Sequence, residues 1–233
     1  SKSLHENSGI CFGPENYTLC QTYYTYLKNI NRDWEDRVEK VLQVLFEQEE
    51  VWRWKQINKV QLKKKLLSSS EHTLGNIIHC WYISYLESVD YPTKFWGCKT
   101  PNLTPFSLLF IKIFPNSRFI YTIRNYKDVI QSYFKSGILL ETKLNYVVAL
   151  LLHRYNLLLQ LEKKIKRFAV VDYETFASEF DESIKVINRF FYFEGTKKVI
   201  FNNPDTSYAH LNTVNEIIKK RSYEKYSHDL SKI

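Results

Sequence analysis

The chain of 233 residues contains no methionine, not even at position 1. That absence predicts a processed piece, or a fragment, of a longer chain. Cysteine is sparse, with only Cys11, Cys20, Cys80 and Cys98, and no two of them form a C-x-x-C pair. Such spacing argues against a zinc site and against a dense disulfide framework, so the four thiols read as reduced, small apolar residues of an intracellular protein. Long apolar runs are also missing. The longest, Tyr146 to Leu152, is far too short to span a bilayer. No basic-then-apolar leader opens the chain, and a cytoplasmic location is the expectation. There is no internal repeat and no low-complexity linker.

What remains is ordinary globular material. Hydrophobic residues make up 44% and charged residues 25%, and the length suffices for one domain with a substantial core. The net charge of +8 suits a polyanionic partner. The lysine runs Lys63-Lys64-Lys65 and Lys163-Lys164 look different. They lack the interleaved aromatics and glycines of a nucleic-acid surface and read as solvated helix faces, so no nucleic-acid partner is expected. Asn16-Tyr17-Thr18 and Asn102-Leu103-Thr104 match the glycosylation acceptor pattern, a motif short enough to recur by chance.

Periodicity predicts a first helix over 16–28, with Cys20, Tyr23, Tyr24 and Leu27 on one stripe. Asp33 is placed to cap a long second helix through Trp54, with Val38, Val41, Leu42, Leu45 and Phe46 as its apolar face. A third helix is expected from Thr73 to Ser88, ended by Asp90-Tyr91-Pro92. Beyond it, short apolar strands at 95–99, 118–123 and 168–172 alternate with helices at 104–114, 128–135, 142–166 and 181–191. A basic helix at 214–220 closes the pattern. Strands that are apolar on both faces and separated by helices predict a parallel sheet covered on both sides. Ligands of such sheets bind beyond the carboxyl ends of the strands. Lys99, Arg124 and Tyr173 all fall there and form one candidate rim.

The stretch "FPNSRFIYTIRNYKDVIQSYF", Phe114 to Phe134, is the most informative. An apolar strand ends on Arg124, turns through polar residues and enters a helix carrying Ser132, eight residues after the arginine. A helix start offers N–H groups and a positive dipole end, and arginine adds a bidentate fork, so the arrangement suits a phosphate. A surface arginine beside an Asp128 cap is the plainer alternative.

This stretch resembles the 3′-phosphate-binding segment of sulfotransferases that use 3′-phosphoadenosine 5′-phosphosulfate (PAPS). The family pattern is a strand ending in Arg-Asp-Pro-x-Asp, with a serine eight residues after the arginine. Asn125 and Tyr126 depart from it. Three other stretches resemble family segments in the same order. They are "SGICFGPENYTL" for the Gly-x-Glu segment of tyrosylprotein-type and bacterial members, "FWGCKTPNL" for a strand ending in Lys-x-Pro, and "VVDYETF" for a strand ending in Tyr-Glu. "SYAHLNTVN" is a weaker match to a loop that contacts the donor.

The resemblance implies a P-loop-NTPase-like α/β fold of three layers, with a central parallel sheet flanked by helices and a helix-rich insertion between 33 and 92. It implies transfer of a sulfuryl group from PAPS to an acceptor hydroxyl or amine, without a metal. Glu15 would take the acceptor proton, and Lys99 would balance charge on the leaving oxygen. Arg124 and Ser132 would hold the 3′-phosphate, Tyr173 would lie near the adenine or its phosphate, and Ser207 would contact the donor. His5, His72, His79, His153, His210 and His228 show no placement that makes one of them the base. The family's Arg-x-Gly-Ser/Thr-Ser/Thr loop has no counterpart. "HENSGI" and "LLSSSEHT" lack its context, so a single sulfotransferase domain is expected whose first strand and phosphosulfate loop lie upstream of Ser1. The acceptor class stays open, with Trp52, Trp54, Trp81 and Tyr82 as either pocket or core. Rival readings are a catalytically inactive sulfotransferase-like domain that binds a nucleotide or partner, and a helical scaffold with a basic face.

Overall fold

The computed structural model of the chain describes residues 9–48, 51–54, 56–91, 95–135, 144–165 and 167–192. The expected helix at 214–220 and Ser207 lie outside them. The chain divides into two compact units, 1–115 and 116–233. Both are helix-rich, and each described part contains one pair of parallel strands.

In the first unit, β1 (Cys11–Phe12) pairs in parallel with β2 (Trp96–Gly97), with Cys11 opposite Trp96 and Phe12 opposite Gly97. Between them lie α1 (Leu19–Lys28), α2 (Trp34–Phe46), α3 (Lys59–Leu67) and α4 (Leu74–Ser88). Side-chain oxygens cap three of these helices: Asp33 accepts from the Asp36 N–H, Asn58 from Gln61 and Thr73 from Asn76. Each cap satisfies a donor that the first turn leaves open. The α2 stripe of Val38, Val41, Leu42 and Leu45 is fully buried, as its three- and four-residue spacing predicts.

The second helix was expected to continue to Trp54. It stops at Phe46, and a separate 3₁₀ turn follows at Val51–Trp54. At 100° per residue, an unbroken helix would set Trp54 opposite Leu45 and away from the core. The break lets Trp54 enter the core, where it is fully buried.

The end of α4 matches the expectation at Asp90. This residue adopts a positive φ of 51°, and the Tyr91 N–H returns to the Leu86 carbonyl at 3.1 Å. That is the Schellman arrangement, with aspartate in the left-handed position. The lysine run of α3 is a salt-bridged face. Lys63 meets Glu35 and Glu39, Lys59 meets Glu39, and Lys65 meets Glu87. Hydrogen bonds from Lys59 and Lys63 hold the Glu39 carboxyl below its ordinary range. After β2, the helix expected at 104–114 is split into a 3₁₀ segment, Pro101–Phe106, and α5 (Ser107–Ile113). Pro105 has no N–H to donate, so the segment from Pro101 cannot join α5 in one α-helical ladder, although a helix beginning at Thr104 would tolerate it.

In the second unit, β3 (Phe119–Ile123) pairs in parallel with β4 (Phe168–Asp172), in register from Phe119–Phe168 to Ile123–Asp172. The crossover carries α6 (Tyr126–Lys135) and α7 (Leu144–Lys164), and β4 leads through α8 (Tyr173–Ser178) to α9 (Phe180–Tyr192). All five residues of β4 are buried, as its uninterrupted apolar run predicts. β3 is less enclosed, with Thr122 exposed. No described helix is long and apolar enough to cross a membrane.

Candidate functional site

The expected site residues fall into two groups, one in each unit. In the first unit, Glu15 stands three residues past β1, and Lys99 stands two residues past β2. The two strands are parallel neighbours, so both loops leave from adjacent carboxyl ends. The Lys99 Nζ donates to Glu15 Oε1, and the Tyr17 hydroxyl donates to Glu15 Oε2. Lysine and carboxylate are 84 residues apart in sequence. The Lys99 side chain is 51% exposed, which keeps the pair screened and inexpensive to exchange for another partner.

A buried tie holds the two loops together. The Asn16 N–H donates to the Thr100 Oγ1 at 3.0 Å, and both residues are buried. The Asn16 Oδ1 accepts from the Thr18 N–H and hydroxyl, which turns the chain into α1. Beneath the Glu15 loop, Gly13 lies against the Trp54 ring. A Cβ at Gly13 would come within 2.8 Å of Trp54 Cη2 and 3.1 Å of Tyr82 Cε1. Gly97 is likewise covered by the Phe12 ring, with Cε1 2.4 Å from where a Cβ would be.

The aromatic residues around this loop are core rather than pocket. Trp54, Trp81 and Tyr82 are buried, Tyr82 stacks on Trp96 at 4.2 Å, and Trp54 meets Tyr82 edge-on at 5.3 Å. Trp52 alone of the four tryptophan and tyrosine candidates is exposed, with Arg53 over its ring. The Trp96 Nε1 donates to His79 Nδ1 at 3.0 Å. Burial, then the charge of Lys65, lowers the His79 pKa, and its Nδ1 serves as the acceptor for Trp96. Burial raises the Cys98 thiol despite hydrogen bonds with Tyr82 and Thr100, so Cys98 is a poor nucleophile beside Lys99.

The second group surrounds the turn after β3. The Asn125 Oδ1 accepts from the Lys127 N–H, and its carbonyl accepts from Val129, both at 3.0 Å. Asn125 is therefore the cap, and α6 begins at Tyr126 rather than at Asp128. The Arg124 guanidinium lies 4.7 Å from the centre of the Tyr173 ring, a cation–π arrangement, and Tyr173 is 42% exposed. The next residue, Glu174, accepts the Asn125 N–H on its Oε1 at 3.1 Å. Asp172 ends β4 and caps α8 through the Thr175 N–H at 2.9 Å.

Two amide groups at the start of α6 are thus satisfied internally. This modifies the expectation of open N–H groups, and the cations offered at this turn are the exposed side chains of Arg124 and Lys127. Ser132 is exposed on α6. Tyr17, the Asn16–Thr100 tie and the Glu174 contact were not anticipated from sequence. Their only local signals were polar residues adjoining Glu15, Lys99 and Tyr173. Among the described residues no cluster of histidine, cysteine, aspartate or glutamate is arranged to hold a metal ion.

Neither the curated proteins nor the solved structures contain a significant match to this chain. A family model does match, running from residue 3 to residue 194 and so through the strands and turns that carry both groups. By that match the chain belongs to the sulfotransferase family.

Proposed function

We propose that this transferase moves a sulfuryl group from PAPS to an acceptor hydroxyl or amine, within a single domain of the P-loop-like, three-layer kind. The tyrosylprotein-type and bacterial branch is the nearest reading, on the Gly13-Pro14-Glu15 segment. The family match runs through both compact units, which supports one domain. The observation that carries the reading is the meeting of Glu15 and Lys99 beyond adjacent parallel strand ends.

The residues present fit such a donor. Arg124 is exposed and, among the described residues, has no carboxylate partner. Tyr173 beside it offers an aromatic face. A phosphate and a purine need those two chemistries. Arg124 and Ser132 would hold the 3′-phosphate, Tyr173 the adenosine, and Ser207 would add a donor contact. PAPS supplies an activated sulfuryl group on a phosphate leaving group.

The chain's own residues supply positioning and charge. Lys99 balances the negative charge that develops on the leaving oxygen, and Glu15 takes the proton of the acceptor. Both Glu15 oxygens accept hydrogen bonds, from Lys99 and Tyr17, which fix the orientation of the carboxylate.

The deciding experiment is a transfer assay with labelled PAPS over a panel of peptide, carbohydrate, lipid and small-alcohol acceptors, run beside a thermal shift with adenosine 3′,5′-bisphosphate. Labelled product and a raised midpoint are expected, the midpoint through mass action. A raised midpoint without transfer would leave a nucleotide-binding domain. Absence of both responses would refute the reading.

A further inference from the structure

Tyr173 and Glu174 grip Arg124 and Asn125 as one dipeptide against another. The Tyr173 ring lies under the Arg124 guanidinium at 4.7 Å, and Glu174 Oε1 receives the Asn125 N–H at 3.1 Å. The second contact joins positions 49 residues apart. The register of β3 on β4 sets both, because Ile123 faces Asp172 and the two dipeptides leave the sheet together.

We infer that Glu174 is a positioning residue for anion binding by Arg124. It acts through the Asn125 amide and sets specificity for a nucleotide with a 3′-phosphate. The inference rests on the PAPS reading above.

The charge of Glu174 cannot be what recommends it here. A carboxylate beside an anion-binding turn repels the incoming phosphate. Glu174 Oε2 is also buried and has no hydrogen-bond partner among the described residues, which is costly for a carboxylate. What Glu174 does supply is one acceptor aimed at one amide. That bond settles the end of β3 where the chain turns, and so the backbone from which Arg124 projects. The same amide is thereby withdrawn from the ligand, so recognition falls to the arginine fork, whose two parallel bonds demand orientation. Glu174 is accordingly expected to act through geometry, with its charge a tolerated disadvantage.

Geometry and charge predict opposite results for two substitutions. Glu174→Gln keeps a carbonyl oxygen for the Asn125 N–H and removes the repulsion. Glu174→Ala removes both. Affinities of the full chain for adenosine 3′,5′-bisphosphate and adenosine 5′-monophosphate, measured by calorimetry, read the effect of the 3′-phosphate directly. The wild type should prefer the bisphosphate. Glu174→Ala should lose about tenfold in bisphosphate affinity, the scale of one hydrogen bond, with monophosphate affinity unchanged. Glu174→Gln should keep the preference or enlarge it.

Equal losses for both nucleotides in Glu174→Ala would mean general loosening and would overturn the inference. A lost preference in Glu174→Gln would show that the charge matters, and would overturn it too. If Glu174→Ala does not fold, the Glu174→Gln result decides alone. A wild type that binds without preferring the bisphosphate would overturn the assigned role of Arg124 and this inference together. Failure of the substitutions alone leaves the role of Arg124 standing.

Discussion

Gly13→Ala tests whether the aromatic core dictates where Glu15 sits. The new methyl carbon would lie 2.8 Å from Trp54 Cη2, 3.1 Å from Tyr82 Cε1 and 3.2 Å from Trp54 Cζ3. Trp54 has no room to retreat, because it is fully buried and meets Trp81, Tyr82 and Tyr85 at centroid distances of 5.0–5.4 Å. The loop must move instead. Overpacking of this kind costs about 1–3 kcal/mol. At roughly 2–4 °C per kcal/mol for a chain of this size, the midpoint should fall by roughly 2–12 °C. Glu15 lies two residues further on, and a misplacement of about 1 Å lowers turnover about a hundredfold. Affinity for adenosine 3′,5′-bisphosphate, assigned to Arg124 and Tyr173, should stay within about twofold when only the Glu15 loop is disturbed. The cause can be isolated with Trp54→Phe, which deletes the ring atoms nearest Gly13. The double variant should lose less stability than the two single losses added together, with a coupling of about 0.5–3 kcal/mol. Strict additivity would refute the contact as the cause. Wild-type stability and turnover in Gly13→Ala would refute the reasoning altogether.

Glu15→Gln should lower turnover by about a hundred- to ten-thousand-fold while nucleotide affinity stays unchanged, and normal turnover on the true acceptor would end its assignment as base. Arg124→Ala should weaken bisphosphate binding by about 1.5–3 kcal/mol, with a much smaller loss for adenosine 5′-monophosphate in the same titration. Thr100→Val leaves the buried Asn16 N–H without its acceptor, and chemical denaturation should show a loss of about 1–3 kcal/mol, accompanied by slower turnover. The last prediction concerns alkaline stability. Burial, aided by Tyr121 and Tyr155, pushes the Tyr126 phenol up to about 12. The unfolded chain ionises near the ordinary value of 10 while the folded chain stays neutral, so this stability is intact below pH 10 and lost as pH rises toward 12. Denaturation curves between pH 9 and 12 should be flatter for Tyr126→Phe than for wild type, and an unchanged slope would count against it.

Several parts of the molecule could be read directly from residue order. The buried run of β4, the cap at Asp33, the helix start at Thr73, the turn at Asp90 and the strand-to-helix break after Arg124 all depend on interactions within a few residues. Their physics is local, so spacing and residue type express it. The four motif stretches, in order, were also enough to point to the sulfotransferase family. Where local reading failed, a distant packing demand prevailed. The apolar stripe of α2 is continuous with a helix through Trp54, yet the core requires that ring on the other side, and the helix ends at Phe46. Asp128 is a reasonable cap by itself. Asn125 takes the role instead, while Glu174, on a distant segment, anchors its amide.

By itself, then, the sequence determined most of the helices, the strands that become β3 and β4, and the family. Tertiary structure alone decided which residues of the candidate site meet. Glu15 reaches Lys99, and Asn16 reaches Thr100, because β1 and β2 pair in one register, Phe12 with Gly97. Arg124 lies on Tyr173 because Ile123 pairs with Asp172. A register is a relation between two segments, and a shift of one residue would turn every side chain to the opposite face of the sheet. No local pattern within either segment contains that information.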